Sequence, residues 1–364
     1  MRVLVVNAGS SSLKLAVVDG AGAVVDRTTL ERWEGSGRAP LETYLETCGP
    51  LDAVGHRVVH GGPRHLASVR IDQGVVDYLE SISDLAPLHN SRAVTGIRDV
   101  GVLLPGLPAV AAFDTAFHAN LPAAAATYAL PREWNDRFGL RRYGFHGLSH
   151  SYAVRRGAEL ATRDIADLRV ITCHLGAGCS LTASRGGAAV DTTMGFTPLE
   201  GLAMQTRSGS IDPGLLLWLQ QHGGIDVQEL SAALEHDSGL RGLSGTSGDF
   251  RDVLAGVDSD DSDCRLALDV YVHRIVRAVG AMAASAGGLD LLVFTGGIGE
   301  HAPRLRSAVA ARLGHLGVVV DDEANSRTTA DGDITRAGAR SSTVVVTAGE
   351  ELEIARETTR LVEP

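Results

Sequence analysis

"NAGSSSLK", residues 7–14, separates an apolar run at 3–6 from a second one at 13–18. Two short apolar runs with a small polar loop between them read as a β-hairpin. In the second strand Leu13, Leu15 and Val17 share one face and Lys14 points to the other, because side chains alternate along a strand. Polar and glycine residues make turns on their own. The same small residues also let backbone N–H groups approach an anion, with Ser10 and Ser12 as hydroxyl donors and Lys14 as a point charge. The loop is not a P-loop, which would need GxxxxGK[ST] between a strand and a helix.

About 165 positions later "DLRVITCHLGAGCSLTASRGG" (167–187) repeats strand, glycine loop, strand. Sequence identity between the two stretches is negligible, so the likeness is architectural and suggests a duplicated unit. Between them, "LDAVGHRVVHGG" (51–62) reads as a strand ending in a Gly-Gly turn and "LPAVAAFDTAFH" (107–118) as a buried strand ending at Asp114. "EGSGRAP" (34–40) reads as a surface loop, and "DSDDSD" (258–263) as a solvated turn lacking the Gly and Glu of a calcium loop. Residues 288–314 read as a strand, a Gly-rich bend and one amphipathic helix with Pro303 in its first turn and Gly314 at its close. A last helix starts near Glu350. Alternating strands and helices place the chain in the α/β class.

Composition narrows the partners. The 364 residues carry a formal charge of −11, against a nucleic-acid partner, which favours a basic face. Four cysteines without a CxxC pair suit a reduced chain rather than a disulfide framework. The apolar stretch at 3–6 is too short for a signal-peptide core, and 102–113 is broken by Pro105, Gly106 and Pro108, so neither a leader nor a membrane span is expected. The expected location is cytoplasmic.

Several residues invite chemistry. "FTGGIGEH" (294–301) is a strand running into a Gly-rich helix start, where anions bind, although a tight turn needs glycine too. Lys14, Arg57, Arg207 and Arg251 stand beside glycines or strand ends. Asp114 is either a helix cap at the end of its strand or an active-site group. Among the histidines, His56, His60 and His65, or His146 and His150, invite a metal reading, but "HGLSH" (146–150) has i, i+4 spacing without the Glu of HExxH, and zinc is not expected.

Taken in order, "NAGSSSLK", "GHRVVHGG", "PLHN", "FDTAFH", "RYGFHGLSH", "HLGAGCS", "TPLEGLAMQTRSGSIDPG", "GLSGTSGDFR", "FTGGIGE" and "EELEIARET" resemble the acetate kinase family from end to end. The resemblance implies two ribonuclease-H-like domains with a duplicated βββαβαβα core flanking a nucleotide cleft, as in sugar kinases, heat-shock chaperones and actin. Residues 1–115 with 350–364 would form one domain, and 116–349 the nucleotide-binding and dimerising one. It implies Mg²⁺- or Mn²⁺-dependent, reversible in-line transfer of the ATP γ-phosphoryl group to acetate. Propionate or butyrate as acceptor, or ATP hydrolysis without phosphotransfer, are the alternatives.

By resemblance, Asn7 and Glu350 hold the metal, and Arg57 grips the substrate carboxylate beside an apolar pocket of Val59, Leu88, Phe145 and Pro198. Asp114, His146 and Arg207 match the catalytic positions. The ATP positions are Ser10, Ser12, Lys14, His174, Leu175, Gly176, Ala177, Gly178, Asp249, Phe250, Arg251, Gly296, Gly297, Ile298, Gly299 and Glu300. A homodimer is implied as well. The chain departs from the family's usual residues at Ser91, Ala177, Cys179, Gln205 and Ser210, none of them a catalytic position.

Overall fold

The structure, a computed structural model, describes residues 1–9, 12–31, 33 and 38–363. Two compact units emerge: Met1–Asn120, Phe145–Tyr152 and Gly349–Pro364 in the first, Leu121–Gly144 and Ala153–Ala348 in the second.

The first unit is built on a six-stranded sheet. Its strands are β1 (Val3–Ala8), β2 (Ser12–Val18), β3 (Val24–Glu31), β4 (Ala53–Val58), β5 (Val69–Arg70) and β6 (Ala109–Phe113), in the order β3-β2-β1-β4-β6-β5. β1, β4 and β6 run parallel, whereas β2, β3 and β5 pair antiparallel with their neighbours. The second unit repeats this with β7 (Arg169–Leu175), β8 (Cys179–Arg185), β9 (Ala188–Thr192), β10 (Leu291–Thr295), β11 (Gly332–Asp333) and β12 (Ser342–Val345). Its order, β11-β12-β10-β7-β8-β9, is the same pattern, including the short antiparallel strand at one edge. The architectural repeat of the two glycine hairpins is therefore a repeat of whole sheets.

Alternation along the strands of the first unit decides which residues can meet. Leu4, Val6 and Ala8 of β1, Leu13, Leu15 and Val17 of β2 and Val54 of β4 face one core with Trp33, Leu41 and Tyr44. Val3 and Val5 of β1, Val18 of β2 and Ala112 of β6 face the other, under Ile354 and Ala355 of the helix Glu350–Val362. That helix lies hard against β4: a Cβ at Gly55 would fall on Thr358 Oγ1 and 2.6 Å from Ile354 Cγ2. Burying a side chain such as Ile354 contributes about 1.5–3 kcal/mol, and here it anchors the helix across the three parallel strands. By the same parity Asn7, Lys14, Arg57 and Asp114 all project on the side of this helix.

Four local expectations need correction. The loop expected over 34–40 is cut short by the helix Ala39–Thr47, which Pro40 can open because the first turn needs no N–H there; residues 34–37 lie outside the described ones. The Gly-rich bend at 296–301 is itself a helix, Gly296–His301, followed by a separate one, Pro303–Ala310. The break falls at Ala302, which adopts non-helical angles ahead of the proline, as residues before proline do. Gly314 starts a 3₁₀ turn, Gly314–Leu316, rather than closing the helix. Ser262 and Asp263 already belong to the helix Ser262–Ala286, capped by Asp261, whose carboxylate accepts from the N–H groups of Asp263 and Cys264 at 2.9 Å each. Among the described residues no helix is long and apolar enough to cross a membrane.

Candidate functional site

In the first unit the parallel strands β1, β4 and β6 are neighbours, and their carboxyl ends carry Asn7, Arg57 and Asp114. Crevices outside the carboxyl ends of strands are where open α/β sheets take ligands. The Arg57 guanidinium uses its fork on Asp114: Nε donates to Oδ1 at 3.0 Å and Nη2 to Oδ2 at 2.6 Å. Nη1 donates to Asn7 Oδ1 at 3.2 Å and lies 3.5 Å from Glu350 Oε2, at the start of the last helix. Three predicted residues, from two strand ends and one helix, thus meet on a fourth, the Arg57 cation.

Electrostatics follow from burial. Desolvation raises the Asp114 carboxyl above the ordinary carboxylate range, and Glu350 pushes the same way, while the Arg57 charge and its hydrogen bonds oppose them. For Arg57 desolvation works against the charge, but Asp114 and Glu350 outweigh it and hold the guanidinium protonated. The two-pronged geometry is that of an ion pair, the arrangement for which a planar fork is suited.

His146 is brought to the same unit by its backbone. It has φ +56°, uncommon for a residue with a side chain, immediately before the helix Gly147–Leu160. Gly147 then donates its N–H to the Asp114 carbonyl at 2.8 Å. A Cβ on Gly147 would fall on that carbonyl oxygen and 3.0 Å from Phe117 Cβ, so only glycine fits. This contact ties 145–152 to the first unit, although the residues on either side belong to the second. Phe145 is buried and meets the His60 ring edge-on at 5.6 Å. Val59 is half-buried beside it in sequence. Leu88 lies in the helix Pro87–Leu103, and its side chain is outside the described residues.

The histidines weighed as zinc ligands have other surroundings. Burial alone pushes His56 down to about 3 and is the largest cause taking His60 to about 4, so both stay neutral. His60 Nδ1 accepts the Gly62 N–H at 2.8 Å, fixing the Gly-Gly turn after β4.

The second unit gathers the glycine segments. Gly176, Ala177, Asp249, Phe250, Arg251, Gly297 and Ile298 line one cavity of about 510 Å³, joined by Gln205 and His301. The hairpin at 174–178 is closed by a bond from Gly176 N–H to the Gly178 carbonyl at 3.1 Å. Leu175 is buried at the end of β7, where His174 pairs with Thr295 of β10. Cys179 Sγ lies 3.2 Å from the Gly176 carbonyl and 3.1 Å from Tyr271 Oη; burial pushes the thiol up to about 11, so it stays protonated and supplies a donor at the loop. Gln205 N–H donates to the Ala177 carbonyl at 3.1 Å, binding the irregular segment that carries Arg207 to the same loop. Ser210 closes that segment through its hydroxyl, which accepts the Gly201 N–H at 3.0 Å. Pro198 belongs to this unit as well.

Several predicted residues also have partners of their own. Asp249 caps the helix Phe250–Asp258 and pairs with Arg251 at 2.7 Å; the hydrogen bond from Arg251, followed by its backbone N–H, lowers the carboxyl to about 2. Glu300 is buried, and its Oε1 accepts the Ala348 N–H at 3.0 Å, while Gly299 packs against β7 and β10. Gly296, with φ +77°, opens the short helix. Lys14 is exposed, Ser12 accepts the Gly9 N–H through its carbonyl at 2.8 Å, and Ser10 lies outside the described residues.

Sequence reasoning passes over Asn90, yet it clamps the backbone of His60: Oδ1 accepts its N–H at 3.1 Å and Nδ2 donates to its carbonyl at 3.0 Å. The motif "PLHN" contains Asn90, but its partner is 30 residues away and leaves no local period. Gln205 stands out in the sequence only as a departure, and its place in the cavity depends on tertiary contacts.

The model of the acetokinase family matches residues 41–356. An acetate kinase of Gloeobacter violaceus is 43% identical over 399 aligned positions, covering 98% of each chain. The crystal structure of Porphyromonas gingivalis acetate kinase superposes with a TM-score of 0.93 at 35% identity over the whole of both chains. A propionate kinase from Francisella tularensis gives 0.91 at 35% identity, over 99% of this chain and 100% of the other.

Proposed function

The chain belongs to the acetokinase family, and on that premise we propose that it transfers the γ-phosphoryl group of ATP to acetate, giving acetyl phosphate and ADP. The observation that supports this most is the constellation of Asn7, Arg57, Asp114 and Glu350 at the strand ends of the first unit.

In this reading an acetate oxygen attacks the γ-phosphorus opposite the β–γ bridging oxygen. The new P–O bond forms as the bridging bond breaks, and ADP leaves with the electron pair. The acceptor carboxylate is ionised at neutral pH, like any free carboxyl group of its class, so no base is needed. Asp114 instead orients Arg57, which holds the substrate carboxylate beside Val59, Leu88, Phe145 and Pro198. His146 and Arg207 offset charge on the transferring phosphoryl group, where positioning and cations supply most of the catalysis.

Asn7 Oδ1 and Glu350 Oε2 both approach Arg57 Nη1 and are hard oxygen donors, so the set suits Mg²⁺ or Mn²⁺ with water and phosphate completing the shell. Asn7 and Glu350 would hold that cation, which supplies charge neutralisation on the phosphate oxygens. Lys14, Ser10 and Ser12 serve the phosphates from the first unit, Met1–Asn120 with Phe145–Tyr152 and Gly349–Pro364, which forms the substrate side. The cavity of the second unit takes the nucleotide, within residues 116–349, with 174–178, 249–251 and 296–300 around it.

Propionate is the second acceptor to consider, because a propionate kinase matches at the same 35% identity as an acetate kinase. One methylene is worth only about 1–3 kcal/mol of discrimination. A cytoplasmic homodimer completes the proposal. Leu215, Leu217 and Trp218, exposed on the helix Pro213–His222, support an apolar contact between copies.

Kinetics of two variants test the assignments. Arg57→Ala is expected to raise KM for acetate far more than it lowers kcat, and Arg207→Ala to lower kcat about a thousandfold with little change in KM. Equal effects on both parameters in both variants would overturn the roles.

A further inference from the structure

Two helices start near the constellation of the first unit, and each carries a proposed active-site residue at its beginning. His146 immediately precedes the helix Gly147–Leu160, and Glu350 is the first residue of Glu350–Val362. On the apolar side they share a core, with Leu148 of one packed in the same cluster as Ile354 and Ala355 of the other. Beside them lies a cavity of about 280 Å³, lined by Gly147, Leu148, Ser151, Glu353, Arg356 and Glu357 among others. A hydrogen bond from Ser151 Oγ to Glu353 Oε1 at 2.8 Å links the two helices there.

Glu353 is an unusual choice for such a place. Its side chain is 2% exposed, and Arg356 satisfies it with Nη2 at 2.8 Å from Oε1 and Nε at 3.3 Å from Oε2. Taking a carboxylate out of water is costly, and apolar residues of similar volume often stabilise a fold as well or better. An ionic group kept there therefore calls for a role other than bulk stability. The spacing supplies one. Glu353 stands one helical turn after Glu350, and Ser151 a little over one turn after His146, at about 1.5 Å of rise per residue. The bond joins the two helices one turn behind both functional side chains.

We propose that Ser151 and Glu353 are positioning residues that lock His146 and Glu350 into one rigid arrangement. Building on the phosphotransfer reading, the brace sets where the metal-holding carboxylate stands relative to the histidine that meets the phosphoryl group. Neither Ser151 nor Glu353 touches substrate.

The test uses the full chain with Ser151→Ala, Glu353→Leu and Glu353→Gln. Loss of a hydrogen bond to a charged group predicts roughly tenfold or greater effects. Ser151→Ala and Glu353→Leu should lower kcat about tenfold and weaken Mn²⁺ binding in the presence of ADP, followed by electron paramagnetic resonance, by a similar factor. KM for acetate should stay within about twofold. Glu353→Gln keeps an acceptor for Ser151 and should recover most of the loss. Variants that melt earlier but keep wild-type kcat and Mn²⁺ affinity would overturn the proposal, as would variants with no change at all. Wild-type protein that forms no acetyl phosphate would refute the phosphotransfer reading instead. The Mn²⁺ measurement then still decides the brace.

Discussion

Asp114 is 1% exposed with Arg57 in place, and replacing Arg57 with alanine leaves its carboxylate without its two-pronged partner. Removing one member of a buried ion pair costs about 3–5 kcal/mol. The Arg57 side chain is 20% exposed, so some water reaches the gap and the lower end, about 3 kcal/mol, applies. That is a large part of a stability of about 5–15 kcal/mol. The loss should depend on pH. Burial and Glu350 raise the Asp114 pKa even with Arg57 present, and without Arg57 the main opposing influence is gone. A carboxyl whose native pKa lies above its unfolded value binds a proton in the native state first. Stability is then fully present below the ordinary carboxylate range and falls as pH rises toward the native pKa, by about 1.4 kcal/mol per pH unit. Arg57→Ala should therefore be penalised more at pH 8 than at pH 4.5. The double variant Arg57→Ala/Asp114→Asn removes the buried charge and should regain about 2 kcal/mol at pH 8. Urea unfolding followed by Trp33 fluorescence reads this directly, because Trp33 is buried in the first unit while Trp134 and Trp218 are exposed in the second. A penalty independent of pH, or a double variant no more stable than the single one, would refute the reasoning.

Two further substitutions are predicted from the geometry. Gly147→Ala forces a methyl group onto the Asp114 carbonyl, and should lower stability by about 1–3 kcal/mol and kcat at least tenfold, read by thermal melting and steady-state turnover. Asn90→Ala leaves the buried His60 N–H and carbonyl without the amide that pairs them; melting should report a loss of about 2–3 kcal/mol, with Asn90→Asp intermediate because it keeps only the acceptor.

Much of the framework was legible because it is local. Alternation in 13–18 set Lys14 on the face opposite Leu13, Leu15 and Val17, and the apolar run before Asp114 marked a strand end; the structure puts both residues on the helix-covered side of the first sheet. The duplicated hairpin pointed to two like sheets without sequence identity, since strand, glycine loop, strand is a backbone pattern. The partners across the chain were not legible. Asn90 with His60, Ser151 with Glu353 and Glu300 with Ala348 are separated by 30, 202 and 48 residues, and no spacing rule encodes them. Glu300 shows the difference plainly. In the short helix Gly296–His301 its carboxylate accepts the Ala348 N–H, a partner that its glycine-rich motif does not announce. The split of the helix at Ala302 leaves an ambiguous sequence signal: Pro303 turns its preceding neighbour away from helical angles, yet it also fits the first turn of a single helix.

Trapping acyl phosphate with hydroxylamine measures the chemistry itself. Purified protein receives Mg-ATP with acetate, propionate, butyrate or no acid, and the hydroxamate is read by its iron(III) colour. Acetyl hydroxamate should form fastest, at a rate matching ADP release, with none in the absence of acid. ATP hydrolysis without hydroxamate from any acid would contradict phosphotransfer to a carboxylate, and a maximum with propionate or butyrate would move the acceptor while keeping the reaction.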